Sequence, residues 1–250
     1  YESDKVVPYY PDNDNFSYTA DDLINFFEDK DISCLTVVNP DNPSGNYIPR
    51  EDMLRLIRWT GERNIHMIAD ESFVDFADEE NATLLQEELL DEYPHLTVIK
   101  SISKSYGIPG LRLGIAASGN KDRICLLKKE VAIWNINSLG EFYMQIEEKY
   151  RNDYAAALVK VKAERERFAK ALGEIPGIRV IPSQADYLMI ELTGGHSADQ
   201  VTERLLNQYH CLVKDLSSKL SADNRQFLRL AVRNQEEDDV LVDALRDVLV

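Results

Sequence analysis

Three short apolar segments with the composition of buried strands are each followed by a polar cluster that could perform chemistry. The segments and their clusters are Cys34–Val38 with Asn39–Gly45, His66–Ala69 with Asp70–Phe76, and Leu96–Lys100 with Ser101–Arg112. Apolar, β-branched runs of this length predict strands, and the carboxyl ends of parallel strands meet at one edge of a sheet. The sequence therefore predicts a site that these clusters form together at the carboxyl edge of a parallel sheet.

The most reactive side chain in these clusters is that of Lys104. A partly buried lysine amine loses its charge more readily, and the neutral amine is the nucleophile that forms a Schiff base with a carbonyl group. The alternative is a solvated surface lysine, which is the usual state of lysine in a loop. Asp70 and Asn42 also have structural alternatives, because Asp caps turns and Asn beside Pro43 suits turn geometry.

The order and spacing of these clusters resemble the pyridoxal 5'-phosphate (PLP) enzymes of fold type I, the aminotransferase class I/II group. The matching runs are Asn39–Gly45, Asp70–Phe73, Ser101–Lys104, Pro109–Arg112 and Phe227–Arg233. The chain is most similar to the branch of histidinol-phosphate aminotransferases and threonine-phosphate decarboxylases. The resemblance implies an α/β fold in which helices sandwich a mostly parallel sheet, with a smaller α+β C-terminal domain.

The resemblance also implies roles around the cofactor ring. Lys104 would hold PLP covalently and move the proton at the substrate α-carbon. Asp70 would keep the pyridine nitrogen protonated, and Asn42 would donate to the ring 3-oxygen. Phe73 lies where many aminotransferases have a tyrosine, and its ring cannot donate to that oxygen. This departure favours the decarboxylase-like branch.

By the same resemblance, the phosphate of PLP would be held by Ser101, Ser103 and Arg112. Two hydroxyl groups and a guanidinium supply several donors in a fixed geometry, as a dianionic phosphate requires. Ser101 lies three residues before the lysine and Arg112 eight residues after it, as in the family pattern. The alternative for Ser103 is that it only shapes the turn.

Substrate binding is expected from three basic residues in the C-terminal part of the chain. Arg229 lies inside the apolar run 226–232, and the resemblance makes its partner the substrate α-carboxylate. The alternative is a plain amphipathic strand with this arginine on its solvated face. Lys214 would bind a distal anion of the substrate, such as a phosphate. Arg233 would contact the same group or form a surface ion pair with the run Glu236–Asp238.

Composition excludes several classes of function. The formal net charge of −16 over 250 residues disfavours nucleic acids and anionic membranes as partners. No apolar run approaches the length of a membrane-spanning helix, and no signal peptide is visible. The three cysteines are scattered, which favours a reducing, cytoplasmic location over a disulfide framework. The four histidines have no metal-ligand spacing, so no metal site is expected.

The expected organisation is a PLP-binding large domain over residues 1–137, connecting helices over 138–174 and a small domain over 175–250. Relative to the resembled family, the N-terminal arm, the Gly-rich phosphate turn and the aromatic that stacks on the ring are missing, unless Tyr1 is a remnant of that aromatic segment. We therefore expect the chain to be an N-terminally truncated fragment that retains PLP weakly. A fused N-terminal domain in the full protein is also compatible with this start.

The leading functional hypothesis is a PLP-dependent aminotransferase that moves an amino group between an amino acid and a keto acid, as a homodimer when full length. The amino acid could bear a distal phosphate or phosphonate. The second hypothesis is a PLP-dependent decarboxylase of a phosphorylated amino acid, similar to threonine-phosphate decarboxylase. The third is a non-catalytic sensing domain of the aminotransferase fold.

Overall fold

The structure is a computed structural model that describes residues 5–218 and 224–249, so Tyr1 lies outside the described residues. The chain divides into two compact units. The first comprises Tyr1–Pro40, Asn46–Asp75 and Glu79–Gln145, and the second comprises Asp41–Gly45, Phe76–Asp78 and Ile146–Val250. The domain limits expected from the sequence stay a prediction.

The first unit is built around a four-stranded sheet in the order β1-β2-β3-β4. Its strands are β1 (Cys34–Val38), β2 (His66–Asp70), β3 (Leu96–Ser101) and β4 (Gly114–Ala117). Its helices are α1 (Ala20–Phe27), α2 (Arg50–Glu62), α3 (Glu87–Glu92), α4 (Ile102–Ser105), α5 (Lys121–Glu130) and α6 (Ser138–Ile146), whose last residue begins the second unit. The strands β1 to β3 are parallel, and β4 runs antiparallel to β3.

One face of this sheet carries the hydrophobic core of the first unit. Leu35, Met67 and Val98 are buried there together with Leu23 of α1 and Leu56 of α2. Alternate strand residues point to the other face, which is more exposed. The side chains on that second face include those of Asp70 and Ser101, because residues two apart along a strand share a face.

The second unit pairs an antiparallel sheet with three long helices. The sheet has the order β5-β6-β8-β7, with β5 (Ile178–Ile181), β6 (Tyr187–Leu192), β7 (Lys214–Asp215) and β8 (Phe227–Ala231). The helices are α7 (Arg151–Gly173), α8 (Ala198–Tyr209) and α9 (Gln235–Val248). Buried residues from the sheet and from all three helices form one hydrophobic core.

These elements confirm the α/β class that the sequence predicts, with a mostly parallel sheet followed by an α+β region. Among the described residues no helix is both long and apolar enough to cross a membrane.

Candidate active site

The carboxyl ends of β1, β2 and β3 meet at one edge of the first sheet, as the sequence predicts. Val38 lies in register with Asp70, and Asp70 lies in register with Ile99. The backbone N–H of Asn39 donates to the Asp70 carbonyl at 2.9 Å, and that of Glu71 donates to the Ile99 carbonyl at 2.8 Å. Hydrogen bonds therefore fix the three strand ends against one another just where the polar clusters begin.

The Asp70 carboxylate is held by the residue two positions further along. Its Oδ1 accepts hydrogen bonds from the Ser72 backbone N–H at 2.9 Å and from the Ser72 hydroxyl at 2.5 Å. The Ser72 Oγ in turn accepts from the Ser101 backbone N–H at 3.0 Å. The other carboxylate oxygen, Oδ2, has no hydrogen bond to any residue that the structure describes, so it remains available to an external donor.

The turn after β3 carries Lys104 on the short helix α4, directly after Ser101. Ser103 is buried and Lys104 is exposed. Of the two alternatives given for Lys104, the structure shows the exposed lysine and not the partly buried one, because within the described chain no residue of α4 belongs to either hydrophobic core. Its covalent role stays a prediction.

Arg112 and Phe73 complete the set of predicted residues in the first unit. Arg112 is exposed, has a left-handed backbone with φ 57° and donates from Nη1 to the Pro109 carbonyl at 3.1 Å. Phe73 is buried, and its ring offers neither a proton donor nor an acceptor oxygen. The roles of both residues stay predictions.

A buried charged cluster beneath this edge was not foreseen from the sequence. Lys100 is buried, and its Nζ donates to Asp75 Oδ1 at 2.6 Å. Glu71 is also buried; its two oxygens accept from the Leu84 N–H at 2.6 Å and the Thr83 hydroxyl at 2.7 Å. Burial raises the pKa of Glu71. The available signal was a lysine inside an apolar strand, which requires a buried partner.

In the second unit, Arg229 and Asn42 are brought together. Arg229 Nη1 donates to Asn42 Oδ1 at 2.7 Å, and its guanidinium lies 5.0 Å from the centroid of the Tyr187 ring. The Tyr187 hydroxyl donates to the Asp41 carbonyl at 2.6 Å, so the ring and the turn that carries Asn42 are fixed to each other. Arg229 is half-buried, which differs from a fully solvated strand face.

Lys214 lies directly opposite Arg229 in the antiparallel pair of β7 and β8. Residues opposite each other in such a pair project from the same face with their Cβ atoms about 5 Å apart, and two like charges there are destabilising. Among the described residues neither cation forms an ion pair with a carboxylate. The pair is therefore suited to an external anion.

Arg233 lies apart from this pair. The strand β8 ends at Ala231, so the regular alternation that would bring Arg233 to the face of Arg229 does not extend to it. Its Nε donates to Glu237 Oε2 at 2.6 Å at an exposed position. This is the surface ion pair that the sequence analysis gave as the alternative, and a contact with substrate stays a prediction.

Comparisons with known proteins place the chain in a family. A sequence profile described as Aminotransferase class I and II matches residues 4–245. The chain belongs to this family. It is 33% identical over 249 residues to the L-serine phosphate decarboxylase of Sulfurospirillum multivorans, and 31% identical over 247 residues to the CMP-5'-(3-aminopropyl)phosphonate synthase of Streptomyces rubellomurinus. Histidinol-phosphate aminotransferases and a threonine-phosphate decarboxylase are also similar, as the sequence analysis predicted.

A solved structure supports the same assignment. The structure of a decarboxylase from Sulfurospirillum multivorans matches with a TM-score of 0.86 and 33% sequence identity, covering 97% of this chain and 69% of that one. The chain spans 63% of the length of the Sulfurospirillum relative and 39% of the Streptomyces relative.

PLP is the cofactor of this family, and the first unit has groups that fit it. Asp70 offers a carboxylate oxygen at the strand edge that the described residues leave without a donor, as a protonated pyridine nitrogen requires. Lys104 lies on the next turn with an exposed amine. The hydroxyl groups of Ser101 and Ser103 and the guanidinium of Arg112 are the donor types that a phosphate needs.

Proposed function

We propose that the protein is a PLP-dependent decarboxylase of an amino acid that bears a distal phosphate or phosphonate. The observation that carries the substrate class is the pairing of Lys214 with Arg229 across β7 and β8. Two adjacent cations without a carboxylate partner in the described chain suit a substrate with two anionic groups. Arg229 would bind the α-carboxylate, and Lys214 would bind the distal anion.

Phe73 supports decarboxylation rather than aminotransfer. It is buried directly after the Asp70–Ser72 segment and has no hydroxyl group, so it cannot control the ring 3-oxygen as a tyrosine would. Two of the relatives described above are named for a phosphorylated or phosphonate compound. The leading hypothesis from the sequence, aminotransfer, is supported at the level of the family, and we retain it as the second candidate.

Each part of the proposed decarboxylation would depend on particular residues of the chain. PLP, when bound, supplies an electron sink for the pair left on the α-carbon as carbon dioxide departs. Asp70 would hold the proton on the ring nitrogen, and Lys104 would deliver a proton to the α-carbon in place of the lost carboxylate. Ser101, Ser103 and Arg112 would hold the phosphate of the cofactor and so orient its ring.

The two candidate reactions differ in their need for a keto acid. An aminotransferase that lacks a keto acid stops after one turnover per site, because the amino group stays on the cofactor. A decarboxylase continues. Full-length protein with PLP and O-phospho-L-serine, but without keto acid, should therefore release amine product through many turnovers. L-Serine should be a poor substrate, because it lacks the anion that Lys214 would bind. Product formation that stops at one equivalent and resumes on adding a keto acid would refute decarboxylation and support aminotransfer.

A further inference from the structure

Ser72 makes three hydrogen bonds at the carboxyl edge of the first sheet. Its backbone N–H and its hydroxyl both donate to the same oxygen, Asp70 Oδ1, at 2.9 and 2.5 Å. Its Oγ accepts from the Ser101 backbone N–H at 3.0 Å. A serine hydroxyl has a single proton, so its one donor is committed to Asp70.

This arrangement fixes the orientation of the Asp70 carboxylate. Terminal carboxylate torsions of Asp are broad, so an unrestrained group would sample many orientations. Two donors on Oδ1 restrict the group to one orientation, in which the described residues leave Oδ2 without a donor. The hydroxyl contact is also short and charge-assisted, which is the strong class of hydrogen bond.

The third hydrogen bond connects this carboxylate to the turn with the lysine. Ser101 is the N-cap residue of α4, the helical turn that carries Lys104. Its N–H is held by Ser72, so a single hydroxyl group links the end of β2 to the start of that turn. Loss of the hydroxyl would leave the Asp70 carboxylate with one donor, the Ser72 backbone N–H, and would free the N-terminus of the turn.

We propose that Ser72 is a positioning residue for the cofactor, which holds Asp70 so that Oδ2 faces the ring nitrogen of PLP and keeps α4 in register with it. The proposal rests on PLP binding, the cofactor part of the proposed function, and it is independent of the bond that is broken in the substrate. Ser72 does not itself touch the cofactor. Its effect is therefore exerted on cofactor affinity and on the electronic state of the ring.

The test measures the binding of PLP to the full-length protein in the absence of any substrate. The dissociation constant of PLP and the pH dependence of its visible absorbance are compared for wild type, Ser72→Ala, Ser72→Thr and Ser118→Ala. Ser118 is the matched control, because its hydroxyl donates to the Leu96 carbonyl at 2.6 Å near the other end of β3. Unfolding temperatures of the apo-proteins show how far each change affects stability alone.

The proposal predicts that Ser72→Ala weakens PLP binding by roughly tenfold, the loss typical of a hydrogen bond to a charged group. The same change should shift the pH at which the visible absorbance of bound PLP changes. Ser72→Thr, which keeps the hydroxyl, should restore most of the affinity. Ser118→Ala should lower the unfolding temperature but leave PLP affinity within about twofold of wild type. In an Asp70→Ala background the Ser72→Ala change should have a smaller effect than in wild type, because only its hydrogen bond to the Ser101 N–H remains to be lost.

Three results would overturn the proposal. The first is a Ser72→Ala protein with wild-type affinity and absorbance, and the second is an equal loss of affinity in Ser118→Ala. Either leaves the proposed function intact. The third is a wild-type protein that does not bind PLP, which refutes the proposed function as well. If Ser72→Ala does not fold, Ser72→Cys replaces it with the same criteria, because a thiol is a weaker donor of similar size.

Discussion

Arg229 and Lys214 are opposite neighbours on one sheet face, yet the proposal gives them different partners on the substrate. Arg229→Ala should weaken the binding of every amino acid substrate by about 2 to 3 kcal/mol. This is the lower part of the range for truncating one partner of a charged pair, because Arg229 is only half-buried. Lys214→Ala should reduce kcat/KM by about tenfold for O-phospho-L-serine and should spare L-serine.

Lys170→Ala is the matched control for these kinetics, since Lys170 is an exposed lysine on α7 and its loss changes the net charge equally. It should leave both substrates unaffected. Equal losses for both substrates in Lys214→Ala would contradict a distal-anion site at this residue.

Lys104 and Lys100 lie four residues apart and differ in environment. Lys100 is buried and paired with Asp75, whereas Lys104 is exposed on the following turn. Borohydride reduction of the full-length protein with PLP should therefore place a pyridoxyl group on Lys104 and not on Lys100, as read by peptide mass mapping. Lys104→Ala should abolish the label. A label on any other lysine would contradict the assignment of the cofactor lysine.

At the residue scale, the sequence motifs identified the main polar residues of the candidate site but did not predict which residues they contact. Asp70 and Ser101 could be selected because each begins a motif of the resembled family at the end of an apolar segment. The link between them through Ser72 could not, because it depends on the register of β2 and β3, which joins residues 29 apart in sequence. The pair Lys100–Asp75 was missed for the same reason, although a lysine in an apolar strand was visible.

At the element scale, helices α7 and α9 are joined by a pair of carboxyl groups. Asp238, in the first turn of α9, is buried, and burial together with Glu164 of α7 raises its pKa to about 7. The pKa of Glu164 is lowered, chiefly by hydrogen bonds from Arg167 at 2.7 to 3.1 Å. The shared proton therefore resides on Asp238, which donates it to the Glu164 carboxylate.

This pair predicts a pH dependence of stability with a definite sign. The unfolded chain loses the Asp238 proton near its ordinary pKa of 3.8, whereas the folded chain holds it up to about 7. The contribution to stability is thus present at low pH and is lost as the pH rises through about 7. Between about pH 6 and about pH 8 the free energy of unfolding should fall by about 1 kcal/mol through this group.

Urea unfolding of wild type and Asp238→Asn at the two pH values measures how much of the fall in unfolding free energy is due to Asp238. The variant should show a smaller decrease than wild type, because it keeps an acceptor for the Arg233 N–H and has no proton to lose. The same decrease in unfolding free energy in both proteins would contradict a proton shared between Asp238 and Glu164.

Element limits followed the sequence closely where strands were short and apolar. The predicted segments Cys34–Val38, His66–Ala69 and Leu96–Lys100 coincide with β1, β2 and β3 to within one residue. The strand β4 begins only at Gly114, because a 3-10 turn at 109–111 and the left-handed backbone of Arg112 come before it. The connecting helices expected over 138–174 are interrupted at Glu147–Tyr150, where the backbone changes to 3-10 geometry.

At the scale of the whole molecule, the chain exposes several apolar side chains between the end of α5 and α6. Ile133 and Trp134 are 94% and 93% exposed, and Leu139 and Phe142 of α6 are also exposed. Apolar surface of this extent usually belongs to an interface. The expected homodimer stays a prediction.

The layout of the first sheet could be predicted at this scale, because three strand-like segments separated by helical ones favour parallel pairing. The antiparallel pairing of β4 could not, since it follows from a short turn that reverses the chain after α4. The grouping of 41–45 and 76–78 with the second unit was also beyond the sequence, because it depends on contacts such as that between Asn42 and Arg229.

Decarboxylation and aminotransfer are distinguished most directly by the fate of the α-carbon of O-phospho-L-serine in deuterium oxide. Full-length protein with PLP should release the carboxyl carbon as carbon dioxide, one molecule for each amine formed. The amine should carry one deuterium at the former α-carbon, because the proton that Lys104 would deliver comes from solvent. Retention of the carboxyl carbon in a keto acid, with no carbon dioxide released, would contradict decarboxylation.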